Sequence, residues 1–161
     1  MTLRDILHVS GKPGLYLLKA SGKNNVIAES LIDGRRTSIS SRQPVMSLGD
    51  VAIYTMDEEI SLADVFERFF TREGGPEAIS HKASKDEVEA FFDETLPERD
   101  TERVYFSDMK KVLQWYNLLL DKDIVNAAFF DDLKKEREDI EAKRKEALDK
   151  KAAEAKEENE G

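Results

Sequence analysis

At 161 residues the chain is long enough for one ordinary domain or two small ones, and it can bury a core without covalent staples. It contains no cysteine, which excludes disulfides, thiolate nucleophiles and thiolate zinc sites and fits a cytoplasmic protein. A net charge of -9 argues against charge-driven nucleic-acid binding by the chain as a whole, and no stretch has the roughly 20 apolar residues needed to span a bilayer.

In chain order, Thr2 to Leu7 reads as one or two helical turns. Thr2 and Asp5 have capping-pair spacing, and Leu3, Ile6 and Leu7 share a face. Four strands are then predicted, at Leu15 to Ala20, Val26 to Leu31, Arg36 to Ser40 and Val51 to Thr55. Their connections carry turn chemistry: Gly22-Lys23-Asn24-Asn25, then Asp33-Gly34, then a longer loop holding Pro44 and Leu48-Gly49-Asp50. Strands this short cannot bury a flat sheet alone. A curled antiparallel sheet or small SH3-like barrel, plugged by the first helix, solves that problem.

After Asp57 the punctuation changes to helix caps. Ser61 to Asp64 opens a helix with Leu62, Val65, Phe66, Phe69 and Phe70 on one stripe, ended by Gly74-Gly75-Pro76. Ser84 to Glu87 opens a second, with Val88, Phe91, Phe92 and Leu96, ended by Pro97. A third begins near Ser107, and its Tyr105, Met109, Val112, Leu113, Tyr116, Leu119 and Leu120 fall within about 120° of arc. A fourth, with Val125, Ala128, Phe129 and Leu133, runs into a tail from Lys134 where only Ile140 and Leu148 are large and apolar. That is too few for a coiled coil, so a solvated helix fraying to disorder by Glu157 is predicted.

Charge follows this division. Residues 1–56 hold seven Lys or Arg against four Asp or Glu, whereas residues 57–130 hold nine against eighteen. The basic residues of the first part, Lys12, Lys23, Arg35 and Arg36 with Lys19 and Arg42, form a candidate rim for RNA or a peptide. Exposed aromatics for base stacking are scarce there, since Tyr16 and Tyr54 both fall in strands where core packing is the default.

The strings Ser10-Gly-Lys-Pro-Gly-Leu-Tyr16, Glu29-Ser-Leu31, Asp33-Gly34-Arg35-Arg36, Ile53-Tyr-Thr55, Arg103-Val-Tyr-Phe-Ser-Asp-Met-Lys-Lys111 and Trp115-Tyr116-Asn117 resemble an uncharacterised bacterial family, a domain of unknown function. The resemblance covers about residues 2–121. It implies an architecture, a β unit followed by a helical unit, and brings no catalytic or binding residues with it.

Motifs for chemistry fail on spacing. Gly11-Lys12-Pro13-Gly14 lacks the phosphate-loop pattern, and proline removes a donor where a cradle needs one. His8 and His81 stand on different units with no second metal ligand at helical spacing. The acidic connector from Asp93 to Glu102 contains Pro97 and lacks the glycine of a calcium loop, so it reads as a solvated link. Trp115 is the sharpest single candidate: with Lys111 and Leu118 it makes a second apolar flank on the third helix, about 100° from the main stripe. That flank either packs centrally, against the fourth helix or the barrel, or meets a partner; central packing is the expectation.

The reading is therefore α+β: a small SH3-like antiparallel β-barrel over residues 1–57, an α-helical unit over 58–133, and a charged tail, helical or disordered, over 134–161. It predicts a non-enzymatic cytoplasmic binding or adaptor protein with a protein partner, no membrane and no cofactor or metal. A small-barrel RNA-binding or ribosome-associated factor is the alternative. The candidate surface is Lys12, Lys23, Arg35, Arg36, Lys111, Trp115 and Leu118.

Overall fold

The structure, a computed structural model, describes residues 2–160, with side chains placed through Lys156. Residues through Asn126 form one compact unit, and the helix beginning at Ala127 forms a second. The first unit opens with a 3-10 turn, Leu3–Asp5, and strand β1, Ile6–Val9. Strands β2 (Tyr16–Ser21), β3 (Asn25–Ser30) and β4 (Arg36–Ser40) continue as an antiparallel meander, and β5 (Val45–Ser47) returns beside β1. A second 3-10 turn, Leu48–Asp50, leads to a separate hairpin of β6 (Ala52–Tyr54) and β7 (Glu59–Ser61). Helices α1 (Leu62–Thr71), α2 (Lys85–Thr95) and α3 (Phe106–Asp121) complete the unit, and α4 runs Ala127–Glu160.

Three sequence expectations are corrected here. The predicted helix at Thr2 to Leu7 stops after one 3-10 turn, because Ile6–Val9 ladder with both β2 and β5. The Thr2–Asp5 capping box is present nonetheless, so the local signal is right and strand pairing overrides its continuation. The sheet order is β4-β3-β2-β1-β5 with no pairing between β4 and β5, so the sheet curls without closing into a barrel. Strand β5 has three residues before the chain turns, and β4 keeps Arg36, Ser38 and Ser40 in solvent. The strand predicted at Val51 to Thr55 pairs outside the main sheet, with Ile53 opposite Ile60 of β7.

Alternation gives the sheet two unlike faces. On one, Leu7, Val9, Tyr16, Ala28 and Ile39 form a buried cluster with Leu18 and Val26 against it. On the other, Ile6 and His8 stand opposite Leu17 and Met46, while the β2–β3 end carries the Lys19–Glu29 ion pair at 3.1 Å. The turn into β2 depends on Gly14 at φ 72°, where an added Cβ would lie 2.4 Å from Ile32 Cδ1.

The helices pack around aromatic rings. Phe69 of α1 lies 5.1 Å from Phe91, 5.6 Å from Phe92 and 5.2 Å from Tyr116, the last two edge to face. Ser61 and Ser84 cap α1 and α2 by accepting from the amides of Asp64 and Glu87, as their spacing predicts. Helix α4 continues to Glu160, beyond the point where the sequence predicts fraying, and its residues from Glu138 through Lys156 are exposed.

Candidate functional site

Helix α3 is buried on two flanks. Met109, Val112, Leu113, Tyr116 and Leu119 form the main stripe, and Trp115 forms the second. Trp115 is 8% exposed, and its ring sits 5.6 Å from that of His8 on β1, so its packing partner is the sheet. His8 Nδ1 is buried without a hydrogen-bond partner in the structure.

The edge of Trp115 opens into a cleft of about 250 Å³ whose wall is built from three places in the fold. Strand β5 gives Met46, the chain around β6 gives Val51 to Tyr54, and α3 with the residues just before it gives Arg103, Val104, Asp108, Lys111 and Val112. The floor is apolar and the charges stand at the rim. Two of the three charged groups already have partners. Arg103 pairs with Asp100 at 3.4 Å and lies over the Tyr54 ring at 5.2 Å, and Asp108 Oδ2 accepts the Tyr105 amide at 3.0 Å as the helix cap. Lys111 is exposed and makes no ion pair among the described residues. Of the wall residues, Met46 and Tyr54 are large side chains left partly in water; Met56, two residues past Tyr54, and Tyr105, next to Val104, are exposed as well.

Of the sequence candidates, the structure joins Lys111 and Trp115 in this cleft and leaves Leu118, half-buried, outside its wall. Three of the four basic candidates share one end of the sheet and the fourth stands at the other. Lys12 and Arg35-Arg36 belong to the same end of the sheet, where Leu31 N–H donates to Leu15 C=O. Lys23 lies in the turn at the other end, the length of β3 away, roughly 20 Å at about 3.3 Å per residue. Arg35 is turned toward Asp33 at 3.9 Å.

Sequence reasoning missed Met46, Tyr54, Arg103 and Asp108 as members of a site. Their only signal is collective: the apolar pair Val45-Met46 after Pro44, and a helix whose approach and first two turns carry Arg103, Asp108 and Lys111 in the stretch before Trp115.

The acidic connector is more ordered than a solvated link. Arg99 is 7% exposed and pairs with Asp93 at 2.7 Å, Glu98 meets Arg68, and Glu94 lies 3.7 Å from Arg72. Four of its five carboxylates, Asp93, Glu94, Glu98 and Asp100, face arginines, and no group of three or more metal-ligating side chains occurs among the described residues. The same arginines explain why a charge-dense loop stays folded. Tyr116, buried among the rings, donates to Pro76 C=O; burial pushes its phenol up to about 12, against a smaller opposite pull from Arg72.

Two domains of unknown function meet at this cleft. Residues 3–48 match DUF5606 and residues 51–119 match DUF6852, so Met46 comes from the first and the rest of the wall from the second. A solution NMR structure of a Bacteroides vulgatus protein, a structural-genomics target, is 41% identical over 78% of this chain and 90% of its own, with a TM-score of 0.64. The chain belongs to that uncharacterised family, in which a β region precedes a helical one. No curated protein matches it. No described helix is long and apolar enough to cross a membrane.

Proposed function

We propose that this protein is a non-enzymatic cytoplasmic adaptor that binds a protein partner through the cleft between β5, β6 and α3. The observation that carries the reading is the cleft itself: an apolar floor walled by Trp115, a Lys111 at the rim with no ion pair among the described residues, and Met46 and Tyr54 exposed in its wall. Its volume of about 250 Å³ lies below the roughly 300–1,000 Å³ of pockets for drug-sized ligands and suits one large side chain of a partner. The only carboxylate in the wall caps a helix, and no serine, threonine, cysteine or histidine lines it to pair with Lys111 or Tyr54, which favours recognition over catalysis.

The strand order, a meander whose fifth strand returns beside the first, is also that of a partly open SH3-like sheet and supports a binding role on fold analogy. Lys23 stands at the opposite end of the sheet from Lys12, Arg35 and Arg36, and Arg35 is turned toward Asp33, a thin basic footprint that favours the protein partner over RNA.

Site-specific photocrosslinking in cells tests this. A photoreactive residue at Tyr54 should trap a protein adduct that the same residue at Lys23 does not. Equal adducts at both positions, or none at Tyr54, would reject the cleft as the working surface.

A further inference from the structure

The two edges of the main sheet are treated differently. Strand β4 presents Arg36, Ser38 and Ser40 to water, the polar edge expected of a strand that must not pair further. Strand β5 presents Val45, 38% exposed, and Met46, 39% exposed, with no charged residue from Gln43 through Gly49. An apolar, uncharged edge is a template for another strand.

The hydrogen-bond phase says which groups are open. Ser10 N–H donates to Pro44 C=O at 3.0 Å, and the ladder pairs His8 with Met46, so positions 44 and 46 bond to β1. Residues 45 and 47, opposite Val9 and Leu7, then aim their main-chain N–H and C=O groups away from β1, toward the free edge. Met46 shares the face of His8, and Met46, with the Trp115 beside His8, lines the cleft. A strand laid on β5 would therefore send every second side chain over that face, toward the apolar floor and Lys111.

We infer that the cleft recognises an extended segment of a partner protein that adds as a strand to the free edge of β5, seats one apolar side chain on Met46 and Trp115, and places a carboxylate on Lys111. The inference rests on the adaptor reading and gives it a mode. Local charge complementarity selects a segment with a carboxylate at this point: the rim holds two cations and one carboxylate, Arg103 and Asp108 are already engaged, and Lys111 has no ion pair among the described residues. Main-chain bonds would supply affinity and the alternate side chains specificity.

The test selects displayed random heptapeptides on the full chain and measures binding of synthetic copies through the emission of Trp115, the only tryptophan. The enriched peptides should alternate apolar residues with Asp or Glu. N-methylation of the backbone amides that face β5 should weaken them about tenfold or more, with methylation of the intervening amides tolerated. Lys111→Glu should weaken binding by about tenfold. Val45→Pro, which removes an outward N–H and no ladder bond, should do the same while the melting temperature stays near that of the parent. If Val45→Pro disturbs the fold, the N-methyl series on the unaltered protein decides alone. Peptides with i, i+3, i+4 apolar spacing, insensitivity to N-methylation, or no enrichment at all would overturn strand addition. The Tyr54 crosslink would still report whether the cleft binds a partner by another mode.

Discussion

Tyr116→Phe isolates one buried hydroxyl and gives two numbers of opposite sense. Near pH 8 the variant loses the bond to Pro76 C=O and leaves that carbonyl unpaired, a cost of about 1 kcal/mol for a neutral pair. The wild-type phenol has its own cost at high pH. Its folded-state value of about 12 lies above the ordinary 10.0, so the stability linked to it is whole below pH 10 and is lost as pH rises through 12. Each unit is worth about 1.4 kcal/mol, so the parent should lose roughly that much near pH 11 and about 3 kcal/mol above pH 12. Phenylalanine cannot ionise. The urea-derived stability curves of parent and variant should therefore converge near pH 11, with lysine and the other three tyrosines cancelling between them. Curves that stay parallel from about pH 8 to 11.5 would refute the claim that burial holds this phenol neutral.

Trp115→Ala should destabilise the protein by about 3 to 5 kcal/mol through the cavity left against His8, and the native emission should be blue-shifted and resistant to quenching; red emission with unchanged stability would place the ring in water. Arg99→Ala, which leaves Leu96 C=O without its guanidinium partner and removes the Asp93 pair, should cost about 1 to 3 kcal/mol by denaturant melting. Gly14→Ala should cost more than 1 kcal/mol, because a Cβ there meets both a positive φ and the Ile32 side chain; a neutral result would mean the turn reshapes freely. Ending the chain after Arg137 should leave the melting temperature within about two degrees, since residues Glu138 to Lys156 are exposed.

The helices were legible because their ends and faces are local. Ser61 and Ser84 announce caps three residues before acidic partners, and the Phe66–Phe69 and Phe91–Phe92 spacings mark one face each, so no distant contact is needed to place them. Strands β2 to β4 were legible for the same reason, with glycine and asparagine at their turns. What was not legible depends on pairing. Leu3, Ile6 and Leu7 satisfy a helical face and a strand equally well, and the ladder to Ser47 and Met46 settles it; the sequence between Pro44 and Leu48 is too short to show a period of its own. Two of the misreadings, the helix at Thr2 to Leu7 and the closed barrel, concern the same two strands, β1 and β5; the third, the strand at Val51 to Thr55, turns on its pairing with β7. Because β5 is not legible, the face it shares with Trp115 is not either; the apolar flank favours central packing over a partner and leaves the fourth helix and the sheet both open as what it packs on. The structure shows why one residue carries both signals. Its ring is buried on His8 while its edge closes a cleft, so the packing that fixes the sheet on α3 is also the wall against which a partner would rest.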